Sequence, residues 1–133
     1  EKMIPTIVNS LAAGRKIPIY GTGQNIRDWL FVDTHVAYLE AIMAGGSPGR
    51  RYLIGGDMEL SNLDLVARIH QLFNGHRPEQ AKPFEDIFDY VTDRKGHDRR
   101  YAIDTAMLKA EFPEVKAAAF DTSLDQTVDF YLN

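Results

Sequence analysis

The sequence predicts a mixed α/β fold, of the α+β kind in which short strands and helices follow one another without a regular repeat. Helical and strand signals alternate along the chain, glycine or proline marks most of the switches, and no internal repeat or low-complexity tract intervenes. With 133 residues, 44% of them hydrophobic and 26% charged, the chain has the size and balance of one domain spanning 1–133 with one core. Folding at this length removes roughly two thirds of the unfolded chain's surface from water, so neither metal nor disulfide is needed to hold it together.

Residues 5–13 read as a helix stopped by Gly14, and residues 17–20 as a short strand closed by the turn Gly21-Thr22-Gly23. The next strand is expected over 27–32, its alternation setting Arg27, Trp29 and Phe31 against Asp28, Leu30 and Val32. Asp33 is the expected cap of a helix reaching Ala44, with Val36, Leu39 and Met43 at core spacing. A brief strand is expected over 51–54. Ser61 followed by Asp64 resembles a capping box, opening a helix that runs to Phe73 and is apolar over a wide arc, which implies burial between two layers. Residues 74–85, with Gly75, Pro78 and Pro83, read as a mobile loop. Residues 89–92 and 99–103 read as extended segments around Lys95-Gly96. Two short helices close the chain, one capped by Asp104 and one beginning near Ser123 with Leu124, Val128 and Tyr131 on one side.

Several function classes fall away at this level. The absence of cysteine excludes a disulfide framework, a thiolate metal site and a cysteine nucleophile, and suits a reducing, cytoplasmic setting. No apolar run reaches the ~18 residues of a membrane span, and no secretory leader pattern opens the sequence, so no membrane partner is expected. A net charge of −4 argues against nucleic acid as a partner. Within that acidic total, Arg94, Lys95, Arg99 and Arg100 form one compact basic segment, suited to a small anion or to a solvated strand edge. The four histidines, at 35, 70, 76 and 97, form no i,i+4 pair, so no metal site is expected. Ser10, Ser47, Ser61 and Ser123 carry no nucleophile-elbow motif, and no catalytic residue is assigned. Gly21-Thr22-Gly23 lacks the third glycine of a dinucleotide loop and precedes a strand signal, so it reads as a tight turn.

Cationic and stacking residues do recur beside the turns. Lys2 precedes the first helix, Tyr20 ends a strand, Arg27 starts the next, and Arg94 and His97 flank Lys95-Gly96. Such a set suits a nucleoside diphosphate, because guanidinium groups match phosphate oxygens and an aromatic ring offers a base or sugar an apolar surface. Core packing is the competing role for Tyr20, and for Trp29 it is the favoured one.

The segments Glu1-Lys2-Met3-Ile4-Pro5, Pro18-Ile19-Tyr20-Gly21-Thr22-Gly23, residues 27–35, Tyr52-Leu53-Ile54-Gly55-Gly56 and residues 93–104 resemble, in order and spacing, successive blocks of the dTDP-glucose 4,6-dehydratases. The Tyr-Gly-x-Gly and Arg-Asp-Trp stretches recur widely among extended short-chain dehydrogenase/reductases acting on nucleotide sugars. The run Gly96-His97-Asp98-Arg99-Arg100-Tyr101-Ala102-Ile103-Asp104 is the more specific block, although Lys95 stands where the family usually has proline. The resemblance implies a C-terminal nucleotide-sugar-binding domain with the Rossmann half, and its NAD site, lying outside these residues. It implies a dTDP or dTDP-glucose site formed by Lys2, Met3, Pro18, Ile19, Tyr20, Arg27, Asn62, Asp93, Arg94, Lys95, Gly96 and His97. It further implies a homodimeric parent enzyme, a chain inert by itself, and self-association through the apolar helix over 63–73. The alternatives are a UDP- or GDP-sugar epimerase or dehydratase, and a non-catalytic binding module.

Overall fold

The computed structural model describes residues 2–133; Glu1, the first residue of the N-terminal resemblance, lies outside them. The architecture is mixed α/β, as the alternation of signals predicts. In chain order the elements are α1 (Met3–Ala12), β1 (Ile17–Tyr20), β2 (Ile26–Asp28), α2 (Val32–Gly45), β3 (Glu59–Ser61), α3 (Asn62–His76), β4 (Phe88–Val91), α4 (Ala106–Glu111) and α5 (Phe120–Leu132).

Two strand pairs organise the chain. β1 and β4 run parallel in the register Ile17↔Phe88 to Tyr20↔Val91, while β2 and β3 are antiparallel from Ile26↔Ser61 to Asp28↔Glu59. Two-stranded sheets are marginal in water, so the helices supply most of the stabilising burial. α3 lies at the centre: Leu65, Val66, Ile69 and Phe73 meet Ile7, Val8 and Leu11 of α1, Ile17 and Ile19 of β1, and Leu124 and Val128 of α5. A smaller cluster of Tyr38, Leu108 and Phe112 joins α2 to α4. None of the helices among the described residues is long and apolar enough to cross a membrane.

Local chemistry explains most boundaries. α1 ends in a Schellman arrangement, the Gly14 N–H reaching the Leu11 carbonyl at 2.9 Å and the Arg15 N–H reaching that of Ser10 at 2.8 Å. Ser61 caps α3 as its spacing to Asp64 predicts, its hydroxyl oxygen accepting the Asp64 N–H at 3.1 Å.

Other elements depart from expectation. The strand over 27–32 stops at Asp28, whose carboxylate takes the N–H groups of Gly56 and Met58 at 2.8 and 2.9 Å and turns the chain out of the ladder. Phe31, not Asp33, occupies the cap position of α2. That helix buries Thr34 and Tyr38, whereas Val36, Leu39 and Met43 are exposed. Residues 51–54 find no ladder partner, and β3 pairs with β2 instead. Residues 74–85 are not a structureless loop: α3 runs on to His76, two 3₁₀ turns follow at Pro78–Gln80 and Phe84–Asp86, and His70 Nε2 lies 2.9 Å from the Lys82 carbonyl. Of residues 99–103, only Arg100 bridges to a strand, at Ile26.

Candidate functional site

A pocket of about 460 Å³ opens where the carboxyl end of the β1–β4 pair meets the starts of α1, β2 and α3. Carboxyl ends of parallel strands are the usual binding edge of α/β folds, and each wall has a local cause. β1 buries Ile17 and Ile19 in the core and leaves Pro18 and Tyr20 on its open side, Tyr20 44% exposed. The following turn sits tightly against both neighbours. A Cβ on Gly21 would fall 2.8 Å from the Asp93 carboxylate, and one on Gly23 would fall 2.8 Å from Ile19 and 3.2 Å from Leu63 at the start of α3. Only glycine permits that approach, so the turn draws the loop after β4 and the beginning of α3 to one mouth.

Arg27 faces the pocket from β2 and is held on two sides. Its Nη1 donates to the carbonyls of Ile26 and Asp98 at 2.6 and 3.1 Å, its Nη2 donates to Asp98 at 3.1 Å, and its guanidinium stacks 4.5 Å above the Tyr101 ring. Among the described residues nothing accepts the Nε hydrogen or the second Nη2 hydrogen, so one edge of the guanidinium keeps its donors for a ligand.

The loop after β4 is braced internally. His97 Nδ1 donates to Asp93 Oδ1 at 2.6 Å, the Arg94 N–H reaches the same oxygen at 2.8 Å, and the His97 N–H returns to the Arg94 carbonyl at 3.2 Å. The His97 hydrogen bond holds the Asp93 carboxyl below the usual carboxylate range, against a smaller desolvation effect and with help from the Arg94 N–H and the nearby positive charges. Asn62, the first residue of α3, donates its N–H to the Asn25 carbonyl at 3.0 Å, and its Oδ1 is buried without a protein partner, as is Trp29 Nε1.

The pocket therefore gathers Met3, Pro18, Ile19, Tyr20, Arg27, Asn62, Arg94 and His97. Lys2 stands at the exposed cap position of α1, Asp93 lies behind Gly21 as the partner of His97, and Lys95 and Gly96 form the exposed tip of the turn. The basic run divides: Arg94 faces the pocket while Arg100 points to β3, clasping Glu59 at 2.5 and 2.7 Å. Thr6, one turn along α1 from Met3, and Trp29, expected in the core, also line the wall. Asp98 and Tyr101 escaped sequence reasoning as neighbours of the site; the signal available was the length of the specific run that contains them. Two guanidinium groups on the wall, with the Asp93 charge engaged by His97, set positive charge beside the apolar surface of Pro18, Ile19 and Tyr20. No group of histidine and carboxylate side chains among the described residues is placed to hold a metal ion.

Comparison with known proteins identifies the family of the chain. The sequence profile of the family described as GDP-mannose 4,6 dehydratase matches residues 1–126. The dTDP-glucose 4,6-dehydratase of Xanthomonas campestris pv. campestris is 45% identical over 133 residues, covering 99% of this chain and 38% of that protein. The crystal structure of dTDP-glucose 4,6-dehydratase from Bacillus anthracis in complex with NAD matches 98% of this chain and 39% of its own, at 38% identity and a TM-score of 0.86. That of DesIV, the dTDP-glucose 4,6-dehydratase of Streptomyces venezuelae with NAD and TYD bound, matches 98% of this chain and 38% of its own, at 33% identity and a TM-score of 0.85. The chain thus spans somewhat over a third of the length of the relatives it matches. From its first residue to its last helix, it belongs to the GDP-mannose 4,6 dehydratase family.

Proposed function

We propose that the pocket binds the nucleotide of dTDP-glucose, and that the chain is the substrate-binding portion of an NAD-dependent dehydratase forming dTDP-4-dehydro-6-deoxyglucose. The observation that carries this reading is Arg27: a guanidinium fixed by backbone carbonyls, with donors left over, beside the exposed ring of Tyr20. A diphosphate would engage Arg27 and the nearby Arg94, while the base rests on Pro18, Ile19 and Tyr20. Asn62 would offer its amide, and the exposed Lys2 and Lys95 would add positive potential at the mouth. Met3 and His97 line the same pocket, and the Asp93–His97 bond with Gly96 shapes the loop. The relatives' names, which specify dTDP-glucose, support thymidine over the other nucleotides.

NAD would supply the hydride acceptor in such a reaction, but the described residues do not fit it. The turn at Gly21 to Gly23 leads into β2 instead of a helix, and its glycines pack against Asp93, Ile19 and Leu63, leaving no cradle for a pyrophosphate. A homodimeric, cytoplasmic parent enzyme belongs to the same reading.

Titration calorimetry with dTDP and with UDP tests it. Preferential binding of dTDP, weakened by ~1.5–3 kcal/mol in Arg27→Ala, is the expected result for losing charged hydrogen bonds. Equal binding of both nucleotides, or an Arg27→Ala variant that binds as the parent does, would count against the assignment.

A further inference from the structure

We propose that Asp98 and Tyr101 are positioning residues that fix the Arg27 guanidinium in the orientation in which it meets a diphosphate; this inference rests on the nucleotide reading above. Both lie in the specific run of residues 96–104, and neither lines the pocket.

The segment is locked to the start of β2. The Ile26 N–H donates to the Arg99 carbonyl at 2.8 Å, and the Tyr101 N–H donates to the Ile26 carbonyl at 3.1 Å. Arg100 points the other way and clasps Glu59 with two hydrogen bonds, so the alternation of an extended chain turns Tyr101 toward Arg27. The Asp98 carbonyl then collects donors from Arg27 Nη1, Arg27 Nη2 and Asn25 Nδ2, each at 3.1 Å. The Tyr101 hydroxyl donates to the Asp98 carboxylate, three residues back, which ties the ring to the same residue that grips the guanidinium. That bond also raises the Tyr101 phenol above its ordinary value, keeping it a donor.

The arrangement separates two faces of one cation. Tyr101 occupies the flat face of the guanidinium, and the Asp98 carbonyl occupies one edge, leaving the Nε edge for phosphate oxygens. A free arginine loses rotamer freedom when it binds, whereas here the folded chain has already ordered it. Tyr101 is 52% exposed and belongs to neither buried cluster, so among the described residues the partner of its ring is the guanidinium that it faces.

The test compares dTDP with thymidine in titrations of the parent chain, Tyr101→Leu, Tyr101→Phe, Arg27→Ala and the Arg27→Ala/Tyr101→Leu double variant. Alongside, the ¹⁵N-edited signal of Arg27 Nε–Hε is followed in the ligand-free chain. Tyr101→Leu is expected to weaken dTDP by about threefold to thirtyfold, the range of a cation–π contact, and to leave thymidine unchanged. Tyr101→Phe, which keeps the ring, falls between the two. In the Arg27→Ala background, Tyr101→Leu has no further effect. The Arg27 signal carries a ring-current shift that Tyr101→Leu abolishes. An unchanged Arg27 signal in Tyr101→Leu, or additive losses in the double variant, overturns the positioning role. A parent chain that binds neither ligand overturns the nucleotide reading, and with it the phosphate role of the lock; the Arg27 signal tells the two failures apart.

Discussion

Asp93 shows how single side chains set the shape of the site. Its carboxylate accepts from the His97 ring and from the Arg94 N–H, and the hydrogen bond from His97 is the main reason its pKa lies below the ordinary value. A depressed carboxylate favours the folded loop at neutral pH, and that contribution is lost as pH falls through the depressed value. Carbon-detected titration should therefore place Asp93 below the ordinary aspartate value, and His97→Leu should raise it toward that value; an Asp93 titration indifferent to that substitution would refute the brace. Lys95 is the residue where the run departs from the family pattern. It stands second in the turn that the His97 N–H closes on the Arg94 carbonyl, and Gly96 at φ +72° follows it, as a type II turn requires. That second position is one proline suits, so lysine keeps the turn while adding an exposed charge. Much of this was legible because arginine and tyrosine beside glycine turns carry their chemistry in their type. Asp98 was not, because it acts on Arg27 through a backbone carbonyl, and carbonyls look alike in every residue.

Among the elements, α2 shows where pattern reading fails. Its apolar residues fall on two stripes: Tyr38, Ala41 and Ile42 pack toward α4, while Val32, Val36, Leu39 and Met43 follow the same helical period on the opposite side. Periodicity cannot choose between two apolar faces. The structure chooses the tyrosine face, leaving Met43 87% exposed and Leu39 43% exposed. α3, by contrast, was legible in both its cap and its burial, but that burial removes it as an association surface: Leu65, Val66, Ile69 and Phe73 are spent inside the chain. Residues 51–54 have strand character and no ladder, since pairing depends on a partner distant in sequence. Self-association of the isolated chain should accordingly run through α2. Sedimentation velocity over a concentration series should detect it, and Leu39→Glu with Met43→Lys should shift the chain toward monomer, because charge on a contiguous apolar stripe opposes its burial. A monomer at every concentration before substitution would count against this.

For the molecule as a whole, the decisive feature is that binding groups and reacting groups are unequally represented. Its pocket offers guanidinium donors, an exposed ring and an amide, the groups on which the proposed nucleotide binding rests. Dehydration of a hexose at C5 and C6 after oxidation at C4 also requires a hydride acceptor and an acid/base pair directed at the sugar. Among the described residues of the pocket the only imidazole is His97, whose Nδ1 is committed to Asp93, and Asp93 itself sits behind the Gly21 turn. Tyr20 has no lysine beside it among the pocket residues. The glycine turn is closed against dinucleotide binding by its own packing, and the chain covers 38% of the length of its Xanthomonas relative. The 133 residues should therefore bind dTDP yet leave dTDP-glucose unconsumed when NAD is supplied. Chromatography of the nucleotide sugars after prolonged incubation checks this. Formation of a 4-keto product by the purified chain would mean that acid/base groups outside this pocket act on the sugar, while a chain that does not bind dTDP would overturn the nucleotide reading itself.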